Sequence, residues 1–277
     1  MALLKALWKL RPPGDPEAAS LRLVRRWREK RLLARLERDW PGGFTLHRTG
    51  DLIHVPRPLD ARGRHALLHP PRAHPAALAF LKPGAVAIDI GANLGEWTIP
   101  LARAVGAGGQ VLACEPAPLA AKSLEATLRA NALRQAEVIR YALGDHDGRA
   151  EFTVPVVTSA RTDSGTARLG AAGPGEEALS VRLSRLDSLL AEREVGWVEL
   201  IKIDVEGHEK QVLDGAEATL GRFRPTLVIE TGHEALDDRT AIYDRLRGLG
   251  YRMLGILLDY GMAPADWDAS WVRPRLR

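Results

Sequence analysis

The chain has a single cysteine, Cys114, among its 277 residues. No intrachain disulfide can form, and a reducing compartment is the simplest setting. Within an apolar strand such a thiol reads as inert core, even beside Glu115. Aromatic residues make up only 5% of the sequence, and no stacking platform or reader motif accompanies its basic residues, which sets nucleic acid aside as a partner. Long apolar runs are also missing. The opening stretch from Met1 to Leu10 is interrupted by Lys5 and Lys9 and stopped by Arg11-Pro12-Pro13, whereas a bilayer span takes about 20 apolar residues. It lacks a small-residue cleavage site, so neither a transmembrane segment nor a secretory signal is expected, and the location is read as cytoplasmic. No internal repeat is present.

With 45% hydrophobic residues, the chain can bury a substantial core, and one main α/β domain with an extension is the economical reading. The net charge of +4 is unevenly spread, because eight basic residues crowd the stretch from Arg22 to Arg38. That run reads as a solvated face; a weak contact with an anionic membrane surface or another anionic partner is left open. Asp15-Pro16 is a good helix start, and Leu21, Val24, Trp27, Leu33, Leu36 and Trp40 then recur at helical spacing. This apolar stripe should pack on the main domain or on a second subunit, so a homo-oligomer also stays open. Pro41-Gly42-Gly43 ends the helix, Phe44 to Val55 alternates as a β-hairpin around Thr49-Gly50-Asp51, and the Pro- and His-rich stretch 56–75 reads as a loop. Residues 1–80 are thus an extension and 81–277 the main domain.

The most informative stretch runs from Val86 to Glu115. It reads as a buried strand ending in Asp89, a glycine turn from Gly91 to Gly95, a helix, and a second strand ending in Glu115. This is a nucleotide half-site, because glycines let backbone N–H groups approach a ligand at a helix N-terminus. Dinucleotide enzymes use G-x-G-x-x-G, and here Asn93 takes the middle glycine's place. Asp89 followed by Gly91-x-x-x-Gly95 instead suits a zwitterion, with an acid for an ammonium and N–H groups for a carboxylate. S-adenosylmethionine carries that amino-acid head, and Glu115 lies where a ribose diol would need an acceptor.

Further along, helices are expected over 123–132, 187–194, 209–220 and 240–248. A third strand is expected over 136–143, extra strands over 151–157 and 179–183 with a Gly/Ala/Ser-rich loop between them, and further strands over 198–204, 226–230, 251–257 and 270–273. Four phrases occur in order: Ile88 to Gly95, Ala142 to Asp145, Leu186-Asp187, and Lys202 to Glu209 with Gly215 following. In these the chain resembles the FkbM family of S-adenosylmethionine-dependent methyltransferases, from about Leu81 to about Thr231. The resemblance implies a class I methyltransferase fold: Rossmann-like, doubly wound, with a mostly parallel sheet, an antiparallel closing strand, and here an N-terminal helical and hairpin extension. It also implies that Asp89, Gly91, Asn93 and Gly95 hold the methionine end of the cofactor, Glu115 the ribose, and Asp145 the adenine amine.

Ligands gather beyond the C-terminal ends of strands in such sheets, where Asp89, Glu115, Asp145, Asp204 and Glu230 all fall. Asp187, ahead of its helix, reads as a cap. Lys202 sits in a strand buried on both faces and needs partners; period-two geometry puts it on the face of Asp204. A hydroxyl acceptor would need a general base within about 2.6–3.2 Å, for which Asp204 is the first candidate, His208 the second and Glu206 the third, with Lys202 tuning Asp204. Asp204, Glu206 and Glu230 could hold Mg²⁺, but the family pattern does not demand it and no metal is expected. The reading is O-methylation of a sugar, polyketide or other small molecule. A peptide or amine N-methyltransferase is the alternative, and a nicotinamide oxidoreductase the distant one.

Overall fold

The computed structural model describes residues 43–46, 50–55, 71, 73–155, 167–230 and 236–255, with single helical positions at 27, 31, 34, 38, 63 and 66. Two compact units divide the chain, Met1–Thr45 and Leu46–Arg277. In the first unit, the four described positions between 27 and 38 are helical; the rest of the expected helix lies outside the described residues. Trp27 is 56% exposed there, and the Arg31 guanidinium lies 4.6 Å from its ring centroid. Of the expected loop 56–75, positions 63 and 66 are helical and Pro75 opens a short helix α1 (Pro75–Leu78).

The hairpin strands are β1 (Phe44–Leu46) and β2 (Leu52–His54). The nucleotide half-site follows as β3 (Val86–Ile90), α2 (Thr98–Val105) and β4 (Gln110–Cys114). Helix α3 (Pro118–Ala130) starts five residues before the expected boundary, because Pro118 stands at its first turn, where a missing N–H is harmless. β2 is pinned to α3: Leu52 N–H donates to Asn131 Oδ1 (2.9 Å) and His54 N–H to Thr127 Oγ1 (2.8 Å).

The expected third strand is two strands. β5 (Ala136–Ile139) joins the main sheet, and β6 (Tyr141–Leu143) turns away to pair with β9 (Glu176–Ser184). β9 pairs antiparallel with β7 (Gly148–Pro155), and β7 with the two-residue β8 (Arg168–Leu169). The extra strands are therefore a separate sheet in the order β6-β9-β7-β8. The chain continues through α4 (Leu186–Glu192), β10 (Leu200–Ile203), α5 (Glu209–Asp214), α6 (Glu217–Phe223), β11 (Thr226–Ile229) and α7 (Leu236–Gly248). The expected helix 209–220 is broken at Gly215, where a Cβ would fall 1.9 Å from the Gly144 carbonyl oxygen. Residues 251–255 form no strand, and the remainder of the expected closing strands lies outside the described residues.

Among the described residues the main sheet is parallel, ordered β11-β10-β3-β4-β5. The chain winds outward from β3 to β5, then crosses back to β10, so the order reverses beside β3 and opens a crevice at the C-terminal ends of β3, β4 and β10. Alternation sends Ala87 and Ala113 into one core cluster with Leu101 and Leu124, and Ile88, Ile90 and Ile203 into a second with Leu189 and Leu213. Asp187 is a cap, but of a different helix from the one it precedes: it accepts from Ala218 N–H (3.0 Å), Thr219 N–H (2.9 Å) and Thr219 Oγ1 (2.7 Å) at the start of α6. Asp147 serves α4 instead, taking Arg185 N–H at 2.9 Å and Ser188 Oγ at 2.6 Å. Among the described residues no helix is long and apolar enough to cross a membrane.

Candidate functional site

The glycine turn is stitched to the end of β4. The N–H groups of Gly91 and Ala92 both donate to the Cys114 carbonyl at 3.0 Å, Gly95 N–H donates to Ala92 O at 2.8 Å, and Asn93 N–H donates to Glu115 Oε2 at 2.7 Å. These four N–H groups are engaged within the protein. The glycines also serve close approach. Gly91 has φ +76°, and a Cβ there would lie 1.8 Å from the Asp204 carbonyl oxygen. Gly95 packs on α3, where a Cβ would meet Leu124 Cδ1 at 2.5 Å, and does not line the cleft.

Glu115 is nearly buried, 5% exposed, and is clamped by Asn93 N–H on one oxygen and Ala117 N–H (2.8 Å) on the other. Burial pushes its carboxyl up to about 7 against the lowering effect of those two N–H groups. A carboxylate oxygen has lone pairs to spare beyond one N–H, so both can still accept from a diol. Cys114, beside it, is buried, and burial raises its thiol far above the ordinary range, so it stays protonated and inert.

Lys202 stands opposite Asp89 in the parallel register of β10 and β3. Its Nζ donates to Gly91 O at 2.9 Å and lies 3.4 Å from Ile90 O, 3.3 Å from Asp89 Oδ1 and 3.4 Å from Asp204 Oδ2. Burial lowers the ammonium's pKa, but the two carboxylates outweigh it and the net shift is upward. Asp89 is wholly buried, and its Oδ2 accepts from Thr98 Oγ1 at 2.6 Å. It does not line the cleft.

The loop after β10 brings Asp204, Val205 and Glu206 to the cleft. Glu206 holds φ +54° and Asn93, across from it, φ +46°, left-handed conformations that only a few per cent of such residues adopt. Glu209 supports this loop: its buried Oε1 accepts from Val205 N–H (3.0 Å) and Gly207 N–H (3.3 Å). A hydrogen bond between Asp204 and Glu230, reinforced by burial, raises the Glu230 carboxyl well above its ordinary range. Carboxylate oxygens of Asp204, Glu206 and Glu230 come within 4.8 Å of one another.

His208 and Asp145 do not line the cleft. His208 stands at the N-terminus of α5 without a capping bond, with Nε2 3.2 Å from where a Cβ on Gly144 would be, and its pKa is lowered by burial. Asp145 has an exposed side chain bonded to His146 Nδ1 at 2.6 Å. The contacts that sequence patterns did not single out are Thr98 and the wall residues Tyr141, Phe152 and Leu169, while Glu209 and Leu143 lie within motif phrases that gave them no role of their own. Tyr141 and Leu143 follow the break in the third strand, and Phe152 and Leu169 come from the second sheet.

The cleft is open to solvent. Its polar side chains are carboxylates, Asn93 and the Tyr141 hydroxyl, and among the described residues lining it there is no Lys, Arg or His. A pyrophosphate would find no counter-charge there, whereas a cationic ligand bearing a diol and an apolar ring finds acceptors and a wall. The residues present therefore fit S-adenosylmethionine.

A parallel sheet wound this way, with an acid-lined cleft at its switch point, is the class I methyltransferase fold. The family model for the methyltransferase FkbM domain matches residues 89–253, and the chain belongs to that family. It is an S-adenosylmethionine-dependent methyltransferase. The chain is 30% identical over 203 residues to the 31-O-demethyl-FK506 methyltransferase FkbM of Streptomyces tacrolimicus, covering 63% of this chain and 75% of that protein. It is also 30% identical over 211 residues to the AMB antimetabolite synthetase AmbE of Pseudomonas aeruginosa, covering 62% of this chain but 10% of that protein. The crystal structure of methyltransferase FkbM from Methylobacillus flagellatus is similar at 20% identity and a TM-score of 0.42, over 61% of this chain and 37% of that one.

Proposed function

We propose that this enzyme methylates a hydroxyl oxygen of a small molecule of the sugar or polyketide kind, at the mouth of the cleft beside Asp204 and Glu206. The observation that carries the reading is the lining, made of carboxylates and apolar side chains around a loop whose Asp204 is ion-paired with Lys202. Support for oxygen as the methylated atom comes from the Streptomyces relative, which is named for a 31-O-demethyl substrate. We assign the methionine end to the turn of Gly91 and Asn93, supported from below by Asp89 and Gly95, and the ribose to Glu115. The adenine falls to the apolar wall rather than to Asp145. These roles belong to a domain over residues 81–277, with residues 1–80 as an extension. A cytoplasmic setting is part of the same reading, supported by the lone buried cysteine.

When bound, S-adenosylmethionine supplies an electrophilic methyl carbon on a sulfonium. Transfer is an in-line displacement, so the acceptor oxygen has to be held on the axis behind that carbon. Asp204 accepts the hydroxyl hydrogen bond, orients the oxygen, and takes its proton as the new O–C bond forms. Lys202 holds Asp204 in an ion pair beforehand. Glu206 adds a second negative charge that favours a cationic centre in a partly desolvated cleft. His208, packed against Gly144, has no part in this step.

The test is incubation with methyl-labelled S-adenosylmethionine and matched panels of hydroxyl and amine acceptors, read by mass spectrometry. Label is expected on hydroxyl acceptors, with Asp204→Asn lowering turnover about 10²-fold, the scale of a lost general base. Label on amines alone would overturn the hydroxyl reading, and full turnover by Asp204→Asn would remove Asp204 from the chemistry.

A further inference from the structure

We propose that Glu209 is a positioning residue for the cofactor cleft, whose buried carboxylate holds the loop from Asp204 to Gly207 in a left-handed turn that brings Asp204, Val205 and Glu206 to the cleft wall. Glu209 is 2% exposed and does not line the cleft, so it acts through the loop rather than on the ligand. The inference rests on the assignment of S-adenosylmethionine to this cleft.

The loop needs a brace because its backbone is unfavourable. Glu206 and Gly207 are consecutive left-handed residues, with φ +54° and +95°, and a non-glycine residue keeps that conformation only where its surroundings over-determine it. One carboxylate oxygen supplies the constraint. Glu209 Oε1 accepts from Val205 N–H at 3.0 Å and from Gly207 N–H at 3.3 Å, the amides of the residues on either side of Glu206. On the opposite side the loop is held by the strand ends: Asp204 N–H donates to Ile90 O at 3.1 Å, and the Asp204 carbonyl oxygen lies 1.8 Å from where a Cβ on Gly91 would be. The loop is thus fixed to β3 and the glycine turn at its start and to α5 at its end.

Glu209 is a poor choice for stability alone. Its second oxygen, Oε2, is buried with no hydrogen-bond partner among the described residues, and an unmet buried acceptor is costly. A negative charge in the first turn of a helix gains its benefit without burial, as exposed Glu217 does in α6. The same device recurs across the cleft. Asn93 and Glu206 are the left-handed non-glycine residues among those described as lining it, and each is braced by a buried glutamate, Glu115 taking Asn93 N–H at 2.7 Å and Glu209 the two amides flanking Glu206. Bracing both walls in advance spares the cofactor the cost of ordering them on binding.

The experiment is calorimetric titration of S-adenosylmethionine into wild type, Glu209→Gln, Glu209→Met, Glu209→Asp, Glu217→Ala and Glu115→Ala, with hydrogen exchange of the Val205 and Gly207 amides followed in each. Glu209→Gln keeps an oxygen able to accept both amides; Glu209→Met keeps the bulk without the acceptor, and Glu209→Asp keeps the charge but falls one methylene short. Binding is expected to weaken about tenfold in the Met and Asp variants, the effect of a loop that is competent about a tenth of the time, with the two amides exchanging about tenfold faster. Glu209→Gln should restore both readouts, which a role for the charge would not allow, and Glu217→Ala should move neither. If one of the Met and Asp variants fails to fold, the other carries the measurement. Wild-type affinity in a folded Met or Asp variant, or weakened binding in Glu209→Gln with both amides still protected, would overturn the positioning role. Wild-type affinity in Glu115→Ala would instead overturn the assignment of the cofactor to this cleft.

Discussion

Gly91→Ala should cripple both stability and cofactor binding, and a second glycine provides its control. At Gly91 the backbone is left-handed and a Cβ would lie 1.8 Å from the Asp204 carbonyl oxygen and 2.9 Å from its carbon. No main-chain atoms approach that closely, so either the turn or the loop after β10 has to move by more than an ångström. At Gly84 the backbone is also left-handed (φ +90°), yet nothing lies within 4 Å of the position a Cβ would take. Both alanines bear the left-handed cost of about 1–2 kcal/mol. Gly91→Ala adds overpacking, typically about 1–3 kcal/mol and more where the neighbour is main chain. At roughly 2–4 °C per kcal/mol for a domain of this size, the melting temperature should fall by about 4 °C for Gly84→Ala and about 10 °C for Gly91→Ala. Only Gly91→Ala should weaken S-adenosylmethionine binding, by about tenfold or more, because the shift it forces falls on Asp204. Thermal melting with and without the cofactor reads both effects. Equal drops in the two variants, with unchanged cofactor affinity in Gly91→Ala, would refute the close-approach argument.

Three other outcomes follow from the same geometry. The Glu115 carboxyl is raised from an ordinary 4.5 to about 7 by burial, so the native state holds that proton more tightly than the unfolded chain and loses stability as pH rises through the interval between those values. The melting temperature of Glu115→Gln relative to wild type, measured without ligand, should therefore climb across that interval and level off above it; a flat difference would show that the carboxyl is not burdened by burial. Turnover should survive EDTA, because Asp204 is already balanced by Lys202 and bonded to Glu230; loss of activity on chelation with recovery in Mg²⁺ would assign the three rim carboxylates to a metal. Deleting residues 1–40 should preserve S-adenosylmethionine binding, since every residue assigned to the cofactor lies beyond Val86, while lowering stability or acceptor turnover; a truncated protein indistinguishable in both would make the segment a passive appendage.

The strand–turn–helix–strand unit and the acids at the strand ends were legible because they depend on local pattern: a buried run, a glycine spacing, a period of two that puts Lys202 with Asp204. What escaped the pattern depends on cross-strand register and close approach. Pairing of Lys202 with Asp89 needs the alignment of β10 on β3, which lie 112 positions apart for the contacting pair Lys202 and Ile90. The break after Ile139 and the second sheet need the pairing of β6 with β9. Gly215 was recognisable as a motif glycine, but its reason, the Gly144 carbonyl pressed against it, belongs to the folded chain. The spacing of the turn glycines is local pattern, while the close approach at Gly91 belongs to the folded chain. Gly91 N–H donates to Cys114 O and Gly95 N–H to Ala92 O, and it is the absence of a side chain at Gly91 that lets the turn lie against Asp204.

The most direct test of a carboxylate-lined nucleoside cleft is calorimetric titration of S-adenosylmethionine and NAD into wild type and Glu115→Ala. The account predicts binding of S-adenosylmethionine and none of NAD by the wild type, with Glu115→Ala weaker by about 1–3 kcal/mol, the usual consequence of leaving ligand hydroxyls without a charged acceptor. Equal affinity of wild type and Glu115→Ala for S-adenosylmethionine, or preferential binding of NAD, would contradict it.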